Sequence, residues 1–193
     1  MSQRTWKQQA DELHDTLSSL SFVDAGGRTV APDAGYAQWR QWTLDLRKNR
    51  GTVYLIGNGA SASMASHFAA DLAKNAQLNT QVFSDLSLIT AISNDMGYEH
   101  VFAEPLRRRG SAADMLVAIS SSGRSPNILA AVGVARELSM KVVTLSGMSV
   151  ANPLRALGSL NLYVDAPTYS MAESCHAAAL HWWIDLVQME NHE

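Results

Sequence analysis

The sequence predicts an α/β protein: a doubly wound, about five-stranded parallel sheet flanked by helices, with two leading N-terminal helices. Two observations carry this. From residue 52 onward, short apolar runs of strand length alternate with segments of helical period, the pattern of a parallel sheet covered on both faces. Two of those runs, at 53–56 and 115–119, break into loops of small residues, 57–61 and 120–125, each leading into a helix. In a doubly wound sheet such loops emerge beyond the carboxyl ends of the strands, where ligands sit at the reversal of strand order.

Taken in order, residues 3–20 carry Trp6, Ala10, Leu13, Leu17 and Leu20 at helical spacing. Gly26-Gly27 and Pro32-Asp33 interrupt that pattern. A second helix then spans about 34–48, with Tyr36, Trp39, Trp42, Leu44 and Leu46 as its apolar members. These two helices have nothing of their own to bury against, so they are expected to pack on the sheet or on another subunit. Strands are expected at 53–56, 81–83, 115–119, 141–145 and 160–164. Helices are expected at 62–75, 99–109, 126–139 and 170–190, with brief helical turns at 88–92 and 153–157. Right-handed crossovers between parallel strands complete the architecture. With no linker, repeat or low-complexity tract, the expectation is one domain over 1–193, in which 1–49 supplies the leading helices and 50–193 the α/β core.

The composition narrows the function classes. An apolar fraction of 47% and a charged fraction of 17% in 193 residues suit a globular chain with a sizeable core. The net charge is −3, and the only basic cluster, Arg107-Arg108-Arg109, reads as a solvated helix end, so nucleic-acid binding has no electrostatic support. The first residues, Met1 to Lys7, lack the apolar core of a signal peptide. No apolar run reaches membrane-spanning length, and the single Cys175 excludes an internal disulfide. The expectation is a cytoplasmic protein with no membrane and no nucleic-acid partner.

The chemistry-bearing residues fall in four places. Ser120, Ser121, Ser122 and Ser125 surround Gly123, and Ser125-Pro126 reads as a helix start with Ser at the cap and Pro at the first position. Free backbone N–H groups, the positive helix end and short hydroxyl donors suit a phosphate. An ordinary capped turn would use the same residue types. No Gly-Lys-Ser/Thr ending aims a lysine at a nucleotide, so the ligand suggested is a small phosphorylated molecule. The run Gly57-Asn58-Gly59-Ala60-Ser61 lacks the third glycine of a dinucleotide fingerprint and reads instead as a close-approach turn, with Asn58 and Ser61 facing sugar or phosphate. His67 and Asp71, four apart, share a helix face and suit metal ligation or proton transfer, as well as a plain surface ion pair. The last helix carries Glu173, His176 and His181. Two histidines and two carboxylates, His67, Asp71, Glu173 and His181, make a possible N/O zinc site, whereas Cys175 reads as an inert buried thiol.

At these residues the chain resembles a known family. Leu55-Ile56-Gly57-Asn58-Gly59-Ala60-Ser61, His67-Phe68-Ala69-Ala70-Asp71, Ala91-Ile92-Ser93-Asn94-Asp95-Met96-Gly97-Tyr98 and Ile119 through Asn127 look like the sugar isomerase (SIS) domain, a flavodoxin-like three-layer sandwich. More narrowly they resemble the phosphoheptose isomerases, which convert sedoheptulose 7-phosphate to D-glycero-D-manno-heptose 7-phosphate. The resemblance spans nearly the whole chain. It implies that Ser120, Ser121, Ser122 and Ser125 hold the phosphate, and that Asn58, Ser61 and Asp95 hold the hydroxyls of the open-chain sugar. It further implies Zn2+ on His67, Asp71, Glu173 and His181, with Asp71 and His181 as the catalytic pair, and a homotetramer with active sites between subunits. Three positions depart from the family pattern. Asp71 stands where the family usually has Glu, retracting the carboxylate by about 1.5 Å, one carbon–carbon bond. Glu173 stands where it has Gln, and Thr168-Tyr169-Ser170 lack the acidic residue it carries there. The same resemblance covers non-catalytic members, so a sugar-phosphate-binding adaptor is the alternative expectation.

Overall fold

The computed structural model describes residues 5–189. The expected start of the first helix, at residues 3 and 4, and the expected end of the last, at 190, lie outside the described residues. The chain runs α1 (Trp6–Ser18), β1 (Ser21–Asp24), β2 (Thr29–Val30), α2 (Pro32–Lys48), β3 (Thr52–Gly57), α3 (Ala60–Ala76) and β4 (Asn79–Gln81). It continues α4 (Leu86–Met96), α5 (Ala103–Arg109), β5 (Met115–Ile119), α6 (Pro126–Glu137), β6 (Lys141–Gly147), β7 (Leu160–Val164) and α7 (Tyr169–Gln188). Single 3₁₀ turns fall at Tyr98–His100 and Pro153–Ala156.

The sheet order is β2-β1-β7-β6-β5-β3-β4. Its five parallel strands, β3 to β7, are those expected from the apolar runs, and every residue of β5 and β7 is buried. Counted among themselves these strands lie in the order 2-1-3-4-5, so the reversal falls between β3 and β5. The loops that follow β3 and β5 are the two small-residue loops, and they therefore flank one crevice.

Among the described residues the sheet has seven strands, not about five. The two extra strands are β1 and β2, a hairpin that pairs antiparallel with β7 at its edge, so the leading segment is helix, hairpin, helix. Asp24 builds the turn: its Oδ1 accepts the backbone N–H of Gly26 (2.8 Å) and Arg28 (3.0 Å), and Gly27 takes a positive φ of 80°. Strands of four and two residues are too short to establish a period, so Gly26-Gly27 reads as a helix break when seen alone.

Three other boundaries differ. Val82 and Phe83 lie beyond β4, which ends at Gln81. The turn expected at 88–92 is a full helix, α4, because the Asp85 carboxylate accepts Leu88 N–H at 2.9 Å and starts it earlier. The helix expected at 99–109 is a 3₁₀ turn followed by α5, which places Pro105 within the tolerant first turn.

Both sheet faces are packed. α2, α3 and α7 cover one face, with Trp39, Phe68, Leu72, Leu180 and Trp183 buried against Val117, Val143 and Leu162. α5 and α6 cover the other, with Leu106, Ile128 and Val132 against Ile56, Leu116 and Val142. The expectation that α2 packs onto the sheet layer holds: its Trp39 ring stacks on Trp183 of α7 at 4.1 Å between centroids. α1 is different, since Thr16 is its one buried residue and Trp6 is 83% exposed.

Candidate active site

The crevice at the strand reversal contains a serine-lined cavity of about 120 Å³. Ser120, Ser121, Ser122 and Ser125 form one wall, Asn58 and Ser61 a second, and Tyr169 and Glu173 a third. Each wall belongs to the first turn, or the lead-in, of a different helix: α6, α3 and α7. Three helix N-termini thus meet at one cavity, each turning the positive end of its dipole toward it.

Local sequence explains the shape. A Cβ on Gly57 would fall 2.5 Å from the backbone of Ser61, so glycine lets α3 begin close beneath the end of β3. Gly123 has φ +60°, and a Cβ there would collide with the side chain of buried Asn152. The β5–β6 ladder continues into the loop, with Ser120 N–H on Leu145 O and Gly147 N–H on Ser121 O, both 2.9 Å. Asn58 and Asn127 exchange two amide hydrogen bonds of 2.9 Å, tying the β3–α3 loop to the start of α6. The Tyr98 hydroxyl donates to Asn58 Oδ1 at 3.2 Å.

The hydroxyls are left available. Ser125 stands at the cap position of α6, yet its Oγ makes no cap bond and instead lies 3.4 Å from Ser120 Oγ. This corrects the expected capping role, because Ser125 supplies only its backbone carbonyl to Ile128 and Leu129. Ser121 Oγ is buried with no hydrogen-bond partner. A buried hydroxyl left in that state costs about 1–3 kcal/mol, a cost that an anion in the cavity would offset.

His67, Asp71 and His181 meet where α3 packs on α7. Their ligand atoms lie within 4.8 Å of one another, with His67 Nε2 3.4 Å from Asp71 Oδ2. The His67 and His181 rings are 5.7 Å apart, and Phe68 backs His181 edge-on at 4.7 Å. Glu173 is outside this trio; it lines the serine cavity two turns earlier on α7. Asp95 does not line that cavity, for it sits exposed near the end of α4 and accepts a hydrogen bond from Asn94 at 2.8 Å. Tyr169 and Asn127 belong to the site but carry no signal in the sequence, since nothing local distinguishes a helix-start tyrosine or asparagine that faces a ligand. Cys175 is buried, and burial pushes its thiol up to about 11, as an inert core cysteine requires.

An open α/β sheet thus carries a serine-lined cavity at its strand reversal and an imidazole–carboxylate trio two turns along two of the helices that wall it. The SIS domain model matches residues 41–147. The phosphoheptose isomerase of Proteus mirabilis (strain HI4320) is 36% identical over 187 residues, 93% of each chain. That of Helicobacter pylori (strain P12) is 34% identical over 151 residues, 75% of this chain and 78% of the relative. Among solved structures, phosphoheptose isomerase GmhA from Neisseria gonorrhoeae superposes with a TM-score of 0.81 at 29% identity, covering 95% of this chain and 96% of that one. The chain belongs to the SIS-domain family and, within it, to the phosphoheptose isomerases.

Proposed function

We propose that this protein interconverts sedoheptulose 7-phosphate and D-glycero-D-manno-heptose 7-phosphate through an enediol, as the names of its relatives suggest. The observation that carries the reading is the trio His67, Asp71 and His181, placed along the two helices that open the serine cavity. His67 lies six residues past Ser61 on α3, a rise of about 9 Å, and His181 eight past Glu173 on α7, about 12 Å. An extended seven-carbon phosphate spans about 10 Å from phosphorus to the first carbon, given carbon–carbon bonds near 1.5 Å. A triose phosphate would fall short of the trio.

In this reading Ser120, Ser121, Ser122 and Ser125 grip the phosphate with the N-terminus of α6, and Asn58 and Ser61 bind chain hydroxyls. Asp71 takes the proton from C1 of the ketose, and that electron pair forms the C1–C2 double bond. His181 protonates O2 and receives the proton of O1; as the C1 carbonyl forms, C2 takes back a proton and the aldose results. Two imidazoles and a carboxylate are a donor set that suits zinc, and His67, Asp71 and His181 would hold it, while Glu173 lines the serine cavity two turns earlier on α7. Bound zinc would supply Lewis-acid polarisation of the carbonyl oxygen. A homotetramer fits the exposed Trp6 on α1 and the 43% exposed Trp182 on the outer side of α7. Among the described residues no helix is long and apolar enough to cross a membrane, which accords with a cytoplasmic site of action.

The test is incubation of the purified protein with zinc and sedoheptulose 7-phosphate, ribulose 5-phosphate or fructose 6-phosphate, with metal analysis of the protein and of His67→Ala and Asp71→Ala. Product from the heptulose phosphate and loss of zinc in both variants are expected. No product from any of the three sugars would overturn the reading.

A further inference from the structure

His176 is fully buried on α7, one turn past Glu173 and five residues before His181. Its Nε2 lies 3.1 Å from the carbonyl oxygen of Ser146, so Nε2 carries the proton and donates. The N–H of the same peptide, on Gly147, donates at 2.9 Å to the carbonyl of Ser121 in the serine loop. One peptide unit therefore links the imidazole of α7 to the backbone of a cavity-lining serine. Bonds in such a row polarise one another, and each sets the direction of the next. The two ends of the row each present a buried polar atom with no hydrogen-bond partner, Ser121 Oγ and His176 Nδ1. Asn152 braces the same corner, reaching Ser146 Oγ at 3.3 Å while its side chain fills the space above Gly123.

We propose that His176 is a positioning residue for phosphate binding: through the Ser146–Gly147 peptide it holds the serine loop in register with α7, so that two walls of the cavity meet the anion as one unit. The proposal rests on the sugar-phosphate reading of the cavity. Removing the donor takes from the Ser146 carbonyl the bond that comes from α7, beside the one it makes in the β6–β7 ladder, and so loosens Ser121 from α7; the loss falls on anion affinity.

The probe is inorganic phosphate, titrated calorimetrically into the native protein, His176→Phe and His176→Gln, with KM and kcat for sedoheptulose 7-phosphate measured beside it. His176→Phe is expected to weaken phosphate binding about five- to tenfold, the worth of one buried hydrogen bond. KM should rise in proportion, with kcat within about twofold. His176→Gln, which restores an N–H donor, should recover most of the affinity. Unchanged phosphate affinity in His176→Phe, whatever its melting temperature, would overturn the proposal and leave His176 a packing residue. Failure of the native protein to bind phosphate would instead overturn the reading of the cavity itself. If His176→Phe does not fold, the native imidazole is followed by ¹H–¹⁵N spectra during phosphate addition. A shift of the His176 Nε2 signal supports the proposal, and its absence overturns it.

Discussion

Asn127 shows how much one side chain can decide. It sits in the first turn of α6, is 2% exposed, and pairs both ends of its amide with Asn58 across the crevice. Its Oδ1 also accepts the N–H of Ile128 at 3.0 Å. Asn127→Leu keeps a similar volume but strands the Nδ2 donor of Asn58, whose Oδ1 keeps only Tyr98, so unfolding free energy should fall by about 1–3 kcal/mol in urea titrations. The KM for the sugar phosphate should rise with it, because Asn58 loses its orientation. Nothing in the run Ser125-Pro126-Asn127 reveals this partner, 69 residues away in the chain. The serines beside it were legible as a candidate anion loop, although an ordinary capped turn uses the same residue types. Ser125 was legible only in part: its place at the helix start was readable, but whether the hydroxyl turns inward to cap or outward to Ser120 depends on the neighbouring loop.

At the scale of elements, α7 is the piece on which the site depends. It carries Tyr169, Glu173, His176 and His181, and Thr168 caps it by accepting Met171 N–H at 3.3 Å. Its position is set from behind by α2, where Trp183 stacks on Trp39 and donates its indole N–H to buried Thr43 at 3.0 Å. Trp183→Ala should cost about 3–5 kcal/mol, read as a lowered melting temperature, since the cavity lies in a packed layer. Activity should fall further than Thr43→Val makes it fall, because only the first change lets α7 move bodily. The helical period of α2 was readable in the sequence, with Trp39 among its apolar members, as was the existence of α7. Their mutual contact was not, nor was the hairpin β1–β2, whose strands are too short to announce themselves.

For the whole molecule, titration offers a test of the fold. Burial pushes the His176 imidazole down to about 4 from its ordinary value near 6.5. The unfolded chain therefore takes up a proton there that the folded chain refuses. Stability is expected to decline as pH falls below about 6.5 and to level off near 4, by about 3 kcal/mol from this group. Urea unfolding between pH 7 and pH 4 measures it, and His176→Phe should flatten that part of the profile. Asp24 and Asp85 add a separate loss at lower pH. Both are held below the usual carboxylate range, chiefly by the backbone N–H groups of Arg28 and Leu88, and that contribution disappears as they protonate.

By itself the sequence determined the layers and the chemistry on offer: five parallel strands, the helices between them, a serine loop and a short list of imidazoles and acids. These follow from local rules, since periodicity, capping and glycine placement act within a few residues. Tertiary structure alone decided which of those groups meet. It joined His67 and Asp71 to His181 across two helices 110 residues apart in the chain, put Glu173 at the cavity wall and left Asp95 outside it. The physical reason is that side-chain convergence depends on how helices are seated on the sheet. That seating is set by packing between distant segments, and no local pattern records it.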